Sequence, residues 1–189
     1  MRKPCAPVSA ALKAERMARS HAAHDVRTLI SLDGGHTFHA NMQRPGKPTA
    51  NALIYLGVKY LGYWSQTWLE HGMPSSLSGR SRKALEALIG GMRAGASLDQ
   101  LAQSARAELG GLSLHPAISG KFGHRIGLSP CEGGEIREGS AGIVEPGTIY
   151  ALNAGVTGAN GEAGMASALV VTRASGACDV IDRSWKPGA

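Results

Sequence analysis

Apolar and polar positions along the chain change period several times, and each change marks an element. Ser9–Ala23 is rich in Ala, Leu, Met, Glu and Lys, which predicts a helix with Ser9 as its N-cap. Val26–Leu32 is an apolar-rich run stopped by Asp33-Gly34-Gly35, the pattern of a buried strand. Gly35–Asn51 has no period and holds His36, His39, Pro45, Gly46 and Pro48; irregular segments of this kind carry function more often than strands do. Two aromatic-rich runs, Ala52–Tyr60 and Gly62–Leu69, meet at Leu61-Gly62 and predict a hairpin. From Ser78 onward Ala84, Leu85, Leu88, Ile89 and Met92 keep the 3.6-residue spacing of an amphipathic helix that stops near Gly95. Ser97-Leu-Asp-Gln100 matches a capping box and opens a second helix, with Leu98, Leu101, Ala105 and Leu109 as its stripe and Gly110-Gly111 as its end. Short strands follow at Thr148–Asn153, Ala166–Thr172 and Cys178–Asp182, punctuated by Pro146-Gly147 and Ser175-Gly176. Helix, strands, two helices, then strands predict one α+β domain with a largely antiparallel sheet.

Composition narrows the class. The 189 residues suffice for one domain with a real core, and 43% hydrophobic against 18% charged residues is a globular balance. No apolar run reaches membrane-spanning length, and Met1-Arg-Lys-Pro-Cys-Ala lacks the apolar core of a signal peptide, so a cytoplasmic protein with no membrane partner is expected. The net charge of +6 is scattered; only Arg80-Ser-Arg82-Lys83 is dense, and no aromatic residues interleave with it, so no nucleic-acid partner is expected. Cys5, Cys131 and Cys178 are far apart, which indicates neither a zinc site nor a disulfide framework.

The candidate chemistry centres on Phe122-Gly-His-Arg-Ile-Gly-Leu128 and the run Ser129-Pro-Cys-Glu132 behind it. Glycines on both sides of His124 permit a tight turn that brings an imidazole close to something small. The alternative is a histidine in a Gly-rich turn before a strand.

Four segments together resemble the catalytic domain of the pita-bread family, which comprises Xaa-Pro aminopeptidases, prolidases, methionine aminopeptidases and creatinase. Gly57-Val-Lys-Tyr-Leu-Gly-Tyr-Trp64 resembles the family's DxGxxYxGY hairpin, and Arg93-Ala-Gly-Ala-Ser-Leu-Asp-Gln-Leu101 its KPGxTxxEL helix start. Gly123-His-Arg-Ile-Gly-Leu128 resembles GHGIGL, and Val144-Glu-Pro-Gly-Thr-Ile-Tyr150 the LEPGMV turn. The resemblance implies a curved, mostly antiparallel sheet covered by helices. It also implies a missing first helix and no separate N-terminal domain. An incomplete fold of that kind exposes apolar surface for a partner, and a homodimer is the expected assembly. Tyr60, Tyr63, Trp64 and Trp68 supply either such an interface or sheet core.

Family members hold two divalent ions with two Asp, one His and two Glu, and the metals lower the pKa of the attacking water. Carried over position by position, the first Asp falls at Tyr55, the second at Gln66, the His at His124, one Glu at Asn153 and the last Glu near Ala166. Four of the five positions lack a carboxylate, so neither a metal nor another cofactor is expected. The family's HEEP motif would put its histidine at Cys131, leaving Glu132 matched. His39, with His36 as fallback, stands nearly where the family has a substrate-binding His. Three functions follow. His39, His124 and Glu132 would serve a metal-independent, creatinase-like enzyme on a small C–N compound, with Tyr55, Gln66, Asn153 and Cys131 lining its substrate site; a positioned acid/base contributes roughly 10²- to 10⁴-fold. A non-catalytic module would bind a peptide in the old cleft, Tyr55 and Gln66 filling the vacated space and pairing with each other. A metallopeptidase with substitute ligands would need Glu132, Glu135 or Glu162 around His124. Cys131 is either a nucleophile activated by His124 or an inert buried thiol.

Overall fold

A computed structural model describes residues 7–40, 51–72, 75–158 and 162–182. Pro45, Gly46, Pro48 and Cys5 lie outside the described residues. The first helix, α1 (Pro7–Ser20), begins two residues earlier than the pattern predicts, because a proline is pre-set for the first helical position; Ser9 is therefore inside the helix and not its cap. It ends before Ala23 because Ala22 takes a left-handed conformation (φ 64°) and Ala23 N–H bonds back to the Ala18 carbonyl at 3.1 Å.

Strands β1 (Asp25–Ser31), β2 (Asn51–Tyr60) and β3 (Tyr63–Gly72) form one antiparallel sheet in that order. The predicted hairpin is present: Tyr60 pairs with Tyr63 across a two-residue turn in which Leu61 (φ 48°) and Gly62 (φ 89°) are both left-handed, as the twist of the strands requires. Helix α2 (Ser78–Gly91) stops short of Gly95 because Met92 is already extended. In α3 (Leu98–Leu109) the Ser97 hydroxyl accepts the Gln100 N–H at 3.3 Å, and left-handed Gly110 closes the last turn.

The second sheet holds β4 (Ser113–Leu114), β5 (Gly123–Arg125), β6 (Ile149–Thr157), β7 (Ala163–Val171) and β8 (Asp179–Val180); β4 and β5 both pair with β6, and β7 follows, then β8. Strands β6 and β7 run past the limits read from the sequence, since Ala154–Val156 and Ala163–Met165 stay in register although small residues weaken their apolar signal. The last strand is the shorter Asp179–Val180.

Alternate residues of each strand serve opposite faces. On β6, Tyr150, Leu152, Ala154 and Val156 pack with Leu85, Leu88, Leu101 and Leu109 of α2 and α3, which forms the main core. The outer face of the first sheet meets α1 through Ala11, Ile30 and Ile54. The inner faces meet each other: Leu53 packs with Met165, and Trp64 with Ile126, Ala151 and Leu169. Gln66 and His124 sit in this inner layer. Among the described residues no helix is long and apolar enough to cross a membrane.

Candidate ligand cleft

His124 does not stand in a turn. It lies in β5 opposite Ala151, and neither Gly123 nor Gly127 has a positive φ. The glycines are needed for close approach: a Cβ on Gly123 would stand 2.7 Å from the Ala151 carbonyl oxygen, and one on Gly127 2.9 Å from a Glu132 carboxylate oxygen. This geometry points the imidazole into the inner layer.

There it meets the first sheet. Tyr55 Oη donates to Gln66 Oε1 at 3.2 Å, and Gln66 Nε2 lies 3.3 Å from His124 Nε2. His124 Nδ1 is 3.0 Å from the Arg125 carbonyl, which can only accept, so the proton is on Nδ1 and Nε2 receives the Gln66 N–H. Burial pushes the His124 pKa below its ordinary value, with the Arg125 carbonyl acting the other way, and the ring is neutral at pH 7. Burial likewise raises the Tyr55 phenol, against the opposing effect of Arg27. The result is an uncharged chain, Tyr55–Gln66–His124, joining three of the positions read from the sequence.

Asn153 is the fourth. It is 5% exposed, stands opposite Ser167 in the β6–β7 ladder, and its Oδ1 is buried without a partner among the described residues. The fifth position needs correction. Ala166 packs in the helix-side core, and Ser167 faces the first sheet: its Oγ accepts the Trp68 N–H at 2.8 Å and shares a 3.3 Å bond with Thr67 Oγ1. A shift of one residue along a strand moves a side chain to the other face.

The remaining candidates lie elsewhere. His39 is exposed and engages Ile30 through backbone bonds, and His36 is exposed too. Glu132 is exposed, and its carboxylate accepts the Ser129 N–H at 2.9 Å. No hydrogen bond or ion pair joins any two of His39, His124 and Glu132. Cys131 is exposed, not the buried thiol of one reading, and it has no bond to His124. Arg125 organises this loop: it pairs with Glu145 at 2.8 Å, donates to the Glu132 carbonyl at 3.0 Å, and its stem fills the space that a Cβ on Gly134 would enter. Glu135 is held by Lys121 at 2.6 Å, and that hydrogen bond keeps its carboxyl below the usual range. Glu162 is exposed near the turn between β6 and β7. Cys178 is half-buried with its Sγ 3.6 Å from the Ile89 carbonyl, and burial raises its thiol.

The pattern along the chain did not show the aromatic wall. Tyr55 pairs directly with Trp68, their rings 5.0 Å apart, and Phe38 meets Trp68 edge-on at 5.6 Å. The two-residue turn fixes that register, so counting outward from Leu61-Gly62 would have found the pair.

The protein-family model for metallopeptidase family M24 matches residues 8–173. The chain belongs to metallopeptidase family M24. Its sheets and helices are the family's pita-bread fold. Similar solved structures include the prolidase of Pyrococcus furiosus (14% identity, TM-score 0.79, 97% of this chain and 57% of that one). The X-Pro aminopeptidase of Thermotoga maritima matches at 15% identity and TM-score 0.75, over 100% and 56%. The N-terminal domain of the FACT complex subunit SPT16 from chickpea matches at 16% identity and TM-score 0.72, over 96% and 50%. The chain thus spans about half the length of these structures, and at such identity the likeness shows the fold. No curated protein matches the chain.

An M24 dinuclear centre does not fit the side chains at these positions. Hard divalent cations rely on anionic oxygens, whereas Tyr55, Gln66, Asn153 and Ser167 offer neutral ones and His124 has its Nε2 lone pair committed to Gln66. Among the described residues no group of three or more His, Cys, Asp or Glu side chains could hold a metal ion.

Proposed function

We infer that this M24 member binds a peptide or protein segment in its cleft without a dinuclear metal centre. The observation that carries this reading is the Tyr55–Gln66–His124 chain, in which each polar group satisfies the next where the family's cations and their water would be held. A ligating imidazole needs its lone pair free, and an activated water needs nearby positive charge; the chain supplies neither. The chickpea match supports the same reading, because that pita-bread protein is named as a subunit of a complex. The creatinase-like alternative requires a joined acid/base set, and His39, His124 and Glu132 share no bond.

The purified protein should be incubated with Mn²⁺, Co²⁺ and Zn²⁺, freed of loosely bound ion, and analysed by elemental mass spectrometry alongside an Xaa-Pro dipeptide hydrolysis assay. Metal near zero per chain and no turnover are expected. Two ions per chain with turnover would overturn the reading. Metal-free turnover of small amides or guanidino compounds, lost in His124→Ala, would establish the creatinase-like alternative instead.

A further inference from the structure

The two sheets are not covered alike. Helices α2 and α3 together bury one face of β6, whereas the first sheet has α1 alone, seated on β1 and β2 through Ala11, Ile30 and Ile54. Three strands about 4.8 Å apart span roughly 14 Å, and one helix covers about 10 Å of that width. A strip of the outer face toward β3 is left without a helix among the described residues. Strand alternation puts Leu56, Val58 and Tyr60 on the same face as Ile54, and Tyr63 pairs directly with Tyr60. Leu56 and Val58 are only half-buried, and Tyr60 and Tyr63 are 50% and 60% exposed.

Helix α1 carries a second apolar side next to this strip. Opposite buried Ala11 it presents Leu12 and Met17, 47% and 54% exposed, with Lys13 and Arg16 between them. These four line an open groove of about 580 Å³ together with Ser9 and Ser20. Neither Lys13 nor Arg16 has a hydrogen-bond or ion-pair partner among the described residues. Glu15, the one acid of α1, is turned to Thr28 and Arg19.

Each copy of the chain therefore offers a cationic, apolar ridge beside an aromatic shelf. That shape is self-complementary under a two-fold axis: the ridge of one copy lies on the shelf of the other, twice. Tyrosine rings present negative faces, so Lys13 and Arg16 gain partners there. A ridge laid on a ridge would instead oppose like charges, and an acidic partner on the ridge would leave the tyrosines bare. Ridge and shelf leave on the order of 600 Å² open, against about 800 Å² per partner in a standard stable interface.

We propose that the chain forms a two-fold homodimer in which Leu12, Lys13, Arg16 and Met17 of each copy lie on Leu56, Val58, Tyr60 and Tyr63 of the other. The two α1 helices then make one layer between the two first sheets, as α2 and α3 make one over the second sheet. The interface is on the far side of the first sheet from Tyr55, Gln66 and His124, so it leaves that bonded chain untouched.

Sedimentation velocity from about 1 to 100 µM, in about 0.15 M salt, tests the assembly. A species of twice 19.6 kDa is expected. Met17→Glu on the ridge and Tyr63→Lys on the shelf are each expected to weaken self-association at least about tenfold, with folding checked by circular dichroism. Mixed in equal amounts, the two variants are expected to associate about tenfold more tightly than either alone. The mixed dimer keeps one intact contact, the ridge of the Tyr63→Lys copy on the shelf of the Met17→Glu copy. A chain that stays at 19.6 kDa throughout would overturn the proposal. So would a dimer that either variant leaves intact, or a mixture that recovers nothing. Leu12→Glu and Tyr60→Lys probe the same two faces if a first variant fails to fold.

Discussion

The Ser167 hydroxyl accepts the Trp68 N–H and shares a bond with Thr67, whereas the Ser81 hydroxyl, fully buried inside α2, has no partner among the described residues. Ser81 therefore carries a desolvation cost that nothing offsets, in a helix where alanine is the better former. Ser81→Ala is expected to raise stability by about 1 kcal/mol, read as a higher urea midpoint with an unchanged slope. A lower midpoint would mean that the hydroxyl has a partner. At this scale the sequence was informative about position and silent about direction. Tyr55, Gln66, His124 and Asn153 were legible because short motifs fix their places in the chain. Ser167 was not, because a motif aligned across a variable turn can slip by one residue and exchange the inner face for the outer one.

Between elements, the β2–β3 hairpin sets the register that brings Tyr55 opposite Trp68 and within reach of Gln66. Its turn is imperfect: Leu61 holds a left-handed φ of 48° and is 68% exposed, so a branched apolar side chain sits where glycine or asparagine is favoured. Leu61→Asn should raise the thermal midpoint, with a gain of about 1 kcal/mol. A loss of stability would show that Leu61 makes contacts that outweigh the backbone cost. The hairpin, α2 and α3 were readable because their signals are local: a turn pair, a 3.6-residue stripe, a cap. Strand β5 was not readable, since three residues carry no period and Gly123 reads as a turn until Ala151 is seen pressing on it.

For the molecule as a whole, two buried histidines tie stability to pH. His115 is fully buried, its Nδ1 accepting the Ala117 N–H at 3.1 Å and its Nε2 3.4 Å from the Gly34 carbonyl; burial holds its pKa below the ordinary 6.5, the carbonyl pulling the other way. His124 is held down by burial in the same way. Below the ordinary value the unfolded chain takes up protons that the folded chain resists, so these groups cost nothing at high pH and destabilise progressively as the pH falls through 6.5 toward the folded values. The urea midpoint is expected to be lower at about pH 5.5 than at about pH 7.5, and His115→Gln to flatten that dependence. Equal midpoints at the two pH values would show that both rings accept a proton without loss of packing.

The sequence by itself determined the fold class, the order of most elements and the uncharged identity of Tyr55, Gln66 and Asn153, because periodicity, caps and residue identity are properties of neighbours along the chain. The tertiary structure alone decided how Tyr55, Gln66 and His124 meet. Whether Tyr55, Gln66 and His124 bond to one another, and whether Asn153 stays unpaired, depends on two sheets meeting face to face. That meeting is set by packing between residues far apart in the chain, such as Trp64 against Ala151 and Leu53 against Met165, and no local pattern encodes it.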